Sequence, residues 1–449
     1  MTEATKQLAN FITETKYEDL PPETIRKAKM HILDCLGVSI GAYHTPWAQA
    51  VTGLIREYGG KEEAHLFVDG EKVPTINAAL VNGTLAHSLE FDDAHILSTC
   101  HPGATIIPAS LAIAEYRNSS GKDLLLSVIL AYELMLRVGM AIFPSHRDSR
   151  KFHITATTGN LGAAAATAKL LDLDADACLN ALGLAGDQAA SGLFAFISDG
   201  TMSKRIHAGR AAMNGVLSAL FAQRGITGGP TILEDEYGFL EAYADEYDID
   251  KMVANLGKDF EILNCWCKQF PCCGHLQGLI RLASKISKGH DFKSDEIEYV
   301  QIGIYSDALV HNKYEINSSL DAQESASFAV AASLIRGDAY IKEFFEDYDD
   351  PEIAALMKRI RVQVDEEIDR RRGVKITVKI RDGEEYAGQE NESVTIDDEI
   401  IVEKFQRLTR DILPEPQIQE IIDVLQRLEQ ERDVENLVKL TLAKNTEFK

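Results

Sequence analysis

Acid–base side chains crowd one short stretch of this chain, residues 84–105, which reads TLAHSLEFDDAHILSTCHPGAT. Small and aliphatic residues fill the remaining positions. Imidazole, carboxylate and thiol groups suit a metal site, an acid–base site or a solvated loop, so the composition of the stretch leaves these three open. The ionisable residues are three histidines, three carboxylates and one cysteine: His87, His95, His101, Glu90, Asp92, Asp93 and Cys100.

The spacing within this stretch predicts a helix. His87, Glu90 and Ala94 would share one face of it, since they lie at i, i+3 and i+7. Asp92 and Asp93 would then point elsewhere. The alternative is a capped helix end with solvated carboxylates, and the spacing does not separate the two.

Two histidines lie where helices are predicted to begin. His101 is followed by Pro-Gly, which ends one helix and begins another, so we expect its side chain to be displayed in a turn. His153 precedes the run ITATTGNLG, whose first residues suit a helix start where backbone N–H groups attract anions. Taken alone, His153 is also compatible with a packed structural histidine.

A lysine lies in the alanine-rich segment GTMSKRIHAGRAAMNG. Ser203 is predicted to cap a helix that carries Lys204 and His207 one turn apart on one face. A lysine in a buried helix is costly without an anionic partner. This favours a functional Lys204 over a surface lysine.

The cysteine-rich segment NCWCKQFPCCGHLQG invites a zinc hypothesis. Its C-x-C and C-C spacings fit zinc poorly, and no second Cys/His pair follows, so we predict no zinc site and no iron–sulfur cluster. His275, after a Phe-Pro turn at the border of two domains, is the more useful feature. The metal hypothesis involves Cys265, Cys267, Cys272, Cys273 and His275.

The elements around these candidates change character along the chain. Apolar residues recur at helical spacing from residue 1 to about 260. In GVKITVKIRDGEEYAG, by contrast, apolar and polar residues alternate with period two before an Asp-Gly turn. IEYVQIGIYSD is a second predicted strand, and the C-terminal tail returns to helical spacing. We therefore predict an α+β protein, with a large all-α helical domain at 1–264 and 396–449 and a smaller α+β lid domain at 265–395.

Composition limits the classes of partner. The 449 residues include 46 Lys and Arg against 70 Asp and Glu, which gives a formal charge of −24. This charge disfavours a nucleic-acid partner, and an anionic substrate would need a local basic pocket. The N-terminus lacks a signal-peptide pattern, and no apolar run reaches about 18 residues, which predicts a cytoplasmic protein with no membrane partner. The seven scattered cysteines suit a reducing compartment.

The combined motifs resemble the MmgE/PrpD family. The similar segments, in order, are GTLAHSLEFDDAH with HPGA, KFHITATTGNLGAAAATAKLL, GTMSKRIHAGRAAMNGVLSALFAQRGITGGPTILE, QFPCCGH and SLDAQESASFAVAASLI. The resemblance runs from about residue 5 to past residue 430. Members of this family include 2-methylcitrate dehydratase, cis-aconitate decarboxylase and an iminodisuccinate epimerase.

The resemblance implies a homodimer without a cofactor, whose protomer has an all-α domain, completed by the C-terminal helices, and a lid. It places the site in the cleft between them. The residues that correspond to the family's site are His101, His153, Lys204, His207 and His275, with Glu90 at the place of a helix aspartate. We take His101, Lys204, His153, Glu90 and His275 as candidate catalytic residues, and His207, Arg205, Ala94 and Phe328 as candidate substrate contacts.

These residue types suit proton removal beside a carboxylate. That step builds enediolate charge, so it needs a base and fixed positive donors, which histidines and lysine supply. The predicted function is a lyase acting on a di- or tricarboxylic hydroxy acid by a 2-methylcitrate dehydratase-like dehydration. The alternatives are an isomerase or epimerase, a cis-aconitate-type decarboxylase and a non-catalytic binding protein. The decarboxylase pattern has a tyrosine where Phe328 stands and a threonine where Ala94 stands, and the loss of both hydroxyls argues against decarboxylation.

Overall fold

The computed structural model describes residues 3–189, 192–290, 292–368, 373–390 and 397–443, and they form mostly helices with small sheets, as the sequence predicts. The helices are α1 Ala4–Glu14, α2 Pro22–Gly41, α3 Pro46–Tyr58, α4 Thr75–Ala86, α5 Gly103–Arg117, α6 Gly121–Ile142, α7 Ser145–Asp148, α8 Ile154–Leu170, α9 Ala175–Asp187, α10 Phe196–Asp199, α11 His207–Gln223, α12 Phe239–Tyr243, α13 Asp250–Val253, α14 Gln277–Gly289, α15 Ser319–Gln323, α16 Ala326–Arg336, α17 Ile341–Phe345, α18 Pro351–Met357, α19 Asp398–Thr409, α20 Glu415–Gln426 and α21 Glu435–Leu440. The strands are β1 Ala64–His65, β2 Lys72–Val73, β3 Ala94–His95, β4 Phe152–His153, β5 Gly192–Leu193, β6 Cys265–Trp266, β7 Ile297–Ile304, β8 Ile360–Val364, β9 Val374–Ile380 and β10 Glu385–Glu390.

The described chain divides into two compact units. The first comprises residues 3–189, 192–194, 203–267 and 397–443, and the second the remainder. The division after residue 267 lies three residues beyond the predicted boundary at 264, and the predicted boundary at 395–396 lies outside the described residues. The sequence prediction differs over 195–202, which belong to the second unit: Lys313 Nζ donates to the Ile197 carbonyl, and Ser318 Oγ donates to the Gly200 carbonyl at 3.2 Å.

The core of the first unit is built on apolar helices that pack closely. α4, α5, α6, α8 and α11 contact one another in this core. A side chain at Gly83 of α4 would lie 2.8 Å from the Cα of Gly209 on α11, so glycine permits the close approach of these two helices. Small residues thus bring α4 and α11 together.

One helix among the described residues, α6, is long and apolar enough to cross a membrane. The sequence prediction that no apolar run reaches about 18 residues overlooked this helix. However, 94% of its most apolar window is buried inside the protein, which is typical of a core helix in a globular fold. Its burial explains its hydropathy.

The second unit contains a four-stranded sheet in the order β10-β9-β7-β8. β7 pairs parallel to β8 and antiparallel to β9, and β9 forms a hairpin with β10. Along β9, the alternating residues Val374, Ile376, Val378 and Ile380 are buried, as the period of two predicts. Gly383 takes φ 103° in the predicted Asp-Gly turn, a conformation that favours glycine.

The C-terminal tail is attached to the first unit through a buried ion pair. Lys404 Nζ on α19 lies 2.6 Å from Asp34 Oδ1 on α2 and 2.5 Å from the Phe91 carbonyl. Burial raises the pKa of the Asp34 carboxyl even though Lys404 lies beside it. The pair therefore joins α19 to α2. Without Lys404, the buried Asp34 carboxylate would lower the stability of the unit.

Lys404→Ala should lower the free energy of unfolding by about 3–5 kcal/mol, because it leaves the Asp34 carboxyl buried without its cation. Denaturant unfolding measures the change. Glu403→Ala, at the exposed neighbouring position of the same helix, is the control and should change the free energy little. A loss below about 1 kcal/mol for Lys404→Ala would show that the pair does not stabilise the unit.

Candidate active site

Asp93 is the centre of a buried network in the first unit. Its side chain is 2% exposed, and its Oδ1 accepts the Gly103 N–H at 2.9 Å at the start of α5. Oδ2 accepts the Tyr132 hydroxyl of α6 at 2.8 Å and lies 2.8 Å from His31 Nδ1 of α2. One carboxylate thus joins three helices, and the alternative of solvated carboxylates in this stretch is wrong.

The backbone of Asp93 orients His101. The Asp93 carbonyl accepts a hydrogen bond from His101 Nδ1 at 2.7 Å. A carbonyl only accepts, so Nδ1 carries the hydrogen, and in the neutral ring Nε2 is the basic nitrogen. The Asp92 carboxylate lies 3.4 Å from the same Nδ1, which stabilises an imidazolium when Nε2 takes up a proton. His101 is also partly exposed, as predicted for a side chain in this turn.

The predicted helix through residues 87–94 is wrong. α4 ends at Ala86, and Ala94 lies in β3, paired with Trp266. Glu90 takes a left-handed backbone conformation with φ 55°, which is uncommon for a residue with a Cβ and is held only where surrounding contacts fix it. The helix ends early because Asp92 and Asp93 turn inward to histidine and tyrosine partners.

Glu90 provides the anionic partner that a buried Lys204 requires. Lys204 Nζ lies 2.7 Å from Glu90 Oε2, and both side chains are almost completely buried. Arg205 NH1 lies 3.5 Å from Glu90 Oε1, and its guanidinium stacks over the ring of Trp47 at 5.2 Å. Two cations therefore lie beside one buried carboxylate.

The predicted cap at Ser203 is wrong. Residues Met202–Ile206 form a 3-10 helix, and α11 begins only at His207 with Ile206 at its N-cap. Lys204 and His207 therefore do not share a face of one α-helix. The contact with Glu90 instead fixes Lys204.

His153 and His207 form a direct pair. His153 is the last residue of β4 and the N-cap of α8, as its position before a helix start predicts. Its Nδ1 lies 3.1 Å from His207 Nδ1. β4 pairs with β5, and a Cβ at Gly192 of β5 would lie 2.4 Å from the His207 ring, so glycine leaves the room that this ring occupies.

Both rings of this pair are held neutral. Burial, and then the neighbouring cationic groups, lower the pKa of His153 well below its usual value. Burial, followed by His87 and Lys204, lowers the pKa of His207 to about 4. A hydrogen bond between two Nδ1 atoms requires one ring to accept, which agrees with neutral imidazoles.

His87 completes a cluster of four histidine rings, His87, His101, His153 and His207, called here the histidine cluster. His87 stacks on His153 with centroids 5.7 Å apart and lies 5.5 Å from His101. Its Nδ1 lies 2.8 Å from Asp92 Oδ2, and its buried Nε2 has no hydrogen-bond partner among the residues that the structure describes. A buried polar atom of this kind calls for a water or a ligand atom.

Two other members of the opening stretch have structural roles. His95 is bonded at both nitrogens, at 2.8 Å to Ser98 Oγ and at 3.2 Å to Glu261 Oε2. Burial raises the pKa of the Cys100 thiol to about 11, which leaves it protonated and unreactive. Neither residue takes part in the histidine cluster.

His275 and Phe328 belong to the second unit. His275 is partly exposed, and its Nδ1 is hydrogen-bonded to the Tyr305 hydroxyl. Phe328 is fully buried in the core of this unit, with its ring 5.5 Å from that of Phe344. Their roles toward a substrate, like that of Ala94 in β3, stay predictions.

Sequence reasoning missed the structural importance of Asp93 and did not select His87 as a site residue. No local spacing marks Asp93, because two of its partners, His31 and Tyr132, are distant in the chain. The signal for His87 was its place in the opening stretch, one turn before Glu90.

The histidine cluster and the Lys204–Glu90 pair together provide the components of acid–base catalysis on an anion. His101 offers a basic nitrogen of fixed tautomer, the neutral rings offer hydrogen-bonding atoms, and Lys204 and Arg205 offer positive charge. Proton removal next to a carboxylate requires this combination, because negative charge then accumulates on the carboxylate.

Comparisons with known proteins find similar sequences over most of the chain. The N-terminal domain of the MmgE/PrpD family matches residues 6–252, and its C-terminal domain matches residues 270–430. A cis-aconitate decarboxylase-like protein, oryM, of Aspergillus oryzae is 27% identical, over 97% of this chain and 96% of its own length. Cis-aconitate decarboxylase of Aspergillus terreus is 25% identical over 97% and 95%, and that of Mus musculus is 27% identical over 80% and 75%.

The lowered pKa of His207 predicts a dependence of stability on pH. The folded protein keeps this ring neutral down to about pH 4, whereas the unfolded chain protonates it near pH 6.5. The unfolded state therefore binds more protons between these values, and the free energy of unfolding falls as the pH falls from 6.5 to 4.

In His207→Gln the free energy of unfolding should fall less steeply with pH, and the slope should decrease by the equivalent of up to about one bound proton. Denaturant unfolding across the pH range measures this slope. His44→Gln, at an exposed histidine of the same unit, is the control and should leave the slope as in the wild type. An unchanged slope in His207→Gln would mean that this ring titrates equally in the folded and unfolded states.

Proposed function

Because the chain belongs to the MmgE/PrpD family, a family that includes lyases, we propose that it is a lyase acting on a di- or tricarboxylic hydroxy acid. The proposed reaction removes a proton beside a carboxylate and expels water, as in a 2-methylcitrate dehydratase-like dehydration. The observation that carries the proposal is the fixed tautomer of His101, whose Nδ1–H is held by the Asp93 carbonyl at 2.7 Å.

His101 is the proposed base. Its Nε2 takes the proton from the carbon next to the substrate carboxylate, and the electrons of that C–H bond move toward the carboxylate as an enediolate. The imidazolium formed at His101 is stabilised by the Asp92 carboxylate, 3.4 Å from Nδ1. This places the proton-accepting atom and its counter-ion on the two sides of one ring.

Lys204 is the proposed charge partner of the enediolate. Its ammonium, already positioned by Glu90 at 2.7 Å, is fixed before reaction and needs little reorganisation. Arg205 adds a second positive charge to the same region. A substrate with two or three carboxylates suits a site that gathers cations within a chain of charge −24.

The second half of the reaction releases water. As the enediolate collapses, the carbon–oxygen bond to the neighbouring hydroxyl breaks, and the His101 imidazolium returns its proton to that oxygen. The carbon–carbon double bond and one water molecule are the products, and the site regains its starting protonation state. The neutral rings of His87, His153 and His207 supply hydrogen-bonding atoms around the substrate.

Decarboxylation is the second candidate, because the relatives at 24–27% identity are named as cis-aconitate decarboxylases or as like them. In that reaction carbon dioxide leaves, and a proton must be delivered to the carbon. The decarboxylase pattern has hydroxyl side chains at the positions of Ala94 and Phe328, and this chain lacks both. We therefore favour dehydration.

Purified protein incubated with a panel of citrate-like hydroxy acids and with cis-aconitate separates the candidates. We expect at least one hydroxy acid to yield an alkene and water, followed by proton NMR. Carbon dioxide released from cis-aconitate, with no reaction of any hydroxy acid, would assign decarboxylation instead. Interconversion of stereoisomers without loss of water would assign an epimerase.

Replacing both members of the buried pair distinguishes a catalytic Lys204 from a structural one. Lys204→Met alone should lower the free energy of unfolding by about 1–3 kcal/mol, since the Glu90 carboxylate then keeps only Arg205, 3.5 Å away, as its cation. Lys204→Met combined with Glu90→Gln removes both charges of this pair and should recover part of that loss, while turnover stays at least about 100-fold below wild type. Recovery of turnover together with stability in the double variant would assign Lys204 a structural role only.

A further inference from the structure

The second unit contains its own group of metal-ligating side chains. Cys273 Sγ and one ring nitrogen from each of His275 and His311 all lie within 4.8 Å of one another. His311 is buried, whereas Cys273 and His275 are partly exposed, so solvent reaches one side of the group. A metal ion has both a set of ligands here and a path of entry.

The separations approach those of a tetrahedral zinc site. Cys273 Sγ lies 3.4 Å from His311 Nε2. With a Zn–S bond of about 2.3 Å and a Zn–N bond of about 2.0 Å, a sulfur and a nitrogen on one tetrahedral zinc lie about 3.5 Å apart. The remaining separations are no more than 4.8 Å. They exceed the zinc value by at most roughly 1.3 Å, so small shifts of the side chains are enough to bring the three ligand atoms onto one ion.

Both histidines have a hydrogen-bond partner at Nδ1. His311 Nδ1 lies 3.1 Å from Glu324 Oε2 and 3.3 Å from the Glu324 carbonyl. These oxygens accept the Nδ1–H, so in the neutral ring Nε2 carries the lone pair, and it lies 3.4 Å from the sulfur of Cys273. His275 Nδ1 is hydrogen-bonded to the Tyr305 hydroxyl. A carboxylate or carbonyl partner such as Glu324 is typical of histidines that bind zinc.

We propose that Cys273, His275 and His311 bind a divalent metal ion of zinc type, with Glu324 as a positioning residue for His311. One thiolate and two imidazoles are the donor set that zinc prefers, whereas magnesium and calcium prefer oxygen. Three protein ligands leave a fourth position for water or for an oxygen of a bound molecule. The inference goes beyond the proposed function and does not depend on it.

The proposal departs from the sequence prediction that no zinc binds near residues 265–275. That prediction weighed the cysteines by their mutual spacing and found no second pair. The structure instead brings in His311, 38 residues from Cys273, and leaves Cys272 outside the group. Local spacing could not reveal a ligand supplied by a distant turn.

The test is a titration of the full chain, first dialysed against a chelator, with Zn²⁺ and separately with Co²⁺. We expect one metal ion per chain and a thiolate-to-cobalt charge-transfer band in the near ultraviolet. Cys273→Ser should remove this band and weaken binding at least about 10-fold, and Glu324→Gln should weaken binding about 10–100-fold. Cys272→Ser, at the neighbouring cysteine, is the matched control and should bind like the wild type.

A second measurement uses the unmodified chain, so that it does not depend on the folding of a variant. Zn²⁺ should slow the alkylation of Cys273 by iodoacetamide, located by mass spectrometry, and should leave the modification of Cys272 unchanged. Equal alkylation of Cys273 with and without Zn²⁺, or metal binding that Cys273→Ser does not weaken, would overturn the proposal. Rapid alkylation without any metal binding would instead indicate a thiol activated by His311.

Discussion

The burial of the Asp93 carboxylate is the constraint on which the candidate site depends. A carboxylate removed from water is costly unless donors surround it, and Asp93 receives the Tyr132 hydroxyl, the Gly103 N–H and the His31 ring. These donors come from α6, α5 and α2, so the position of the carboxylate is fixed by three helices at once. Its carbonyl then fixes the tautomer of His101, which connects the packing of the unit to the basicity of one nitrogen atom.

Two buried lysines of the first unit each lie beside a buried carboxylate. Lys204 lies beside Glu90, and Lys404 lies beside Asp34. The histidine cluster differs, because His153 and His207 are kept neutral by burial and by neighbouring cations. A bound di- or tricarboxylate would bring negative charge to these rings and raise their pKa values, so the proposed function couples substrate binding to proton uptake.

The sequence predicted those features that depend on periodicity. Burial alternates along β9 with the period of its apolar residues, and helices begin directly after Pro102 and His153, where turn and start signals lie. Prediction from the sequence failed where a residue distant in the chain determines the backbone conformation. The helix expected through residues 87–94 ends at Ala86, because His31 and Tyr132 hold Asp93 inside the unit, and no local pattern reports such contacts. The family resemblance, rather than spacing, selected His101 as a candidate catalytic residue.

The central claim is that His101 Nε2 accepts the proton beside the substrate carboxylate. Its most direct test is the rate at which that proton is lost from the carbon, followed by proton NMR on whichever hydroxy acid the protein turns over. His101→Gln should slow this loss at least about 100-fold with unchanged thermal unfolding, whereas His44→Gln should react like the wild type. Proton loss at the wild-type rate in His101→Gln would contradict the claim.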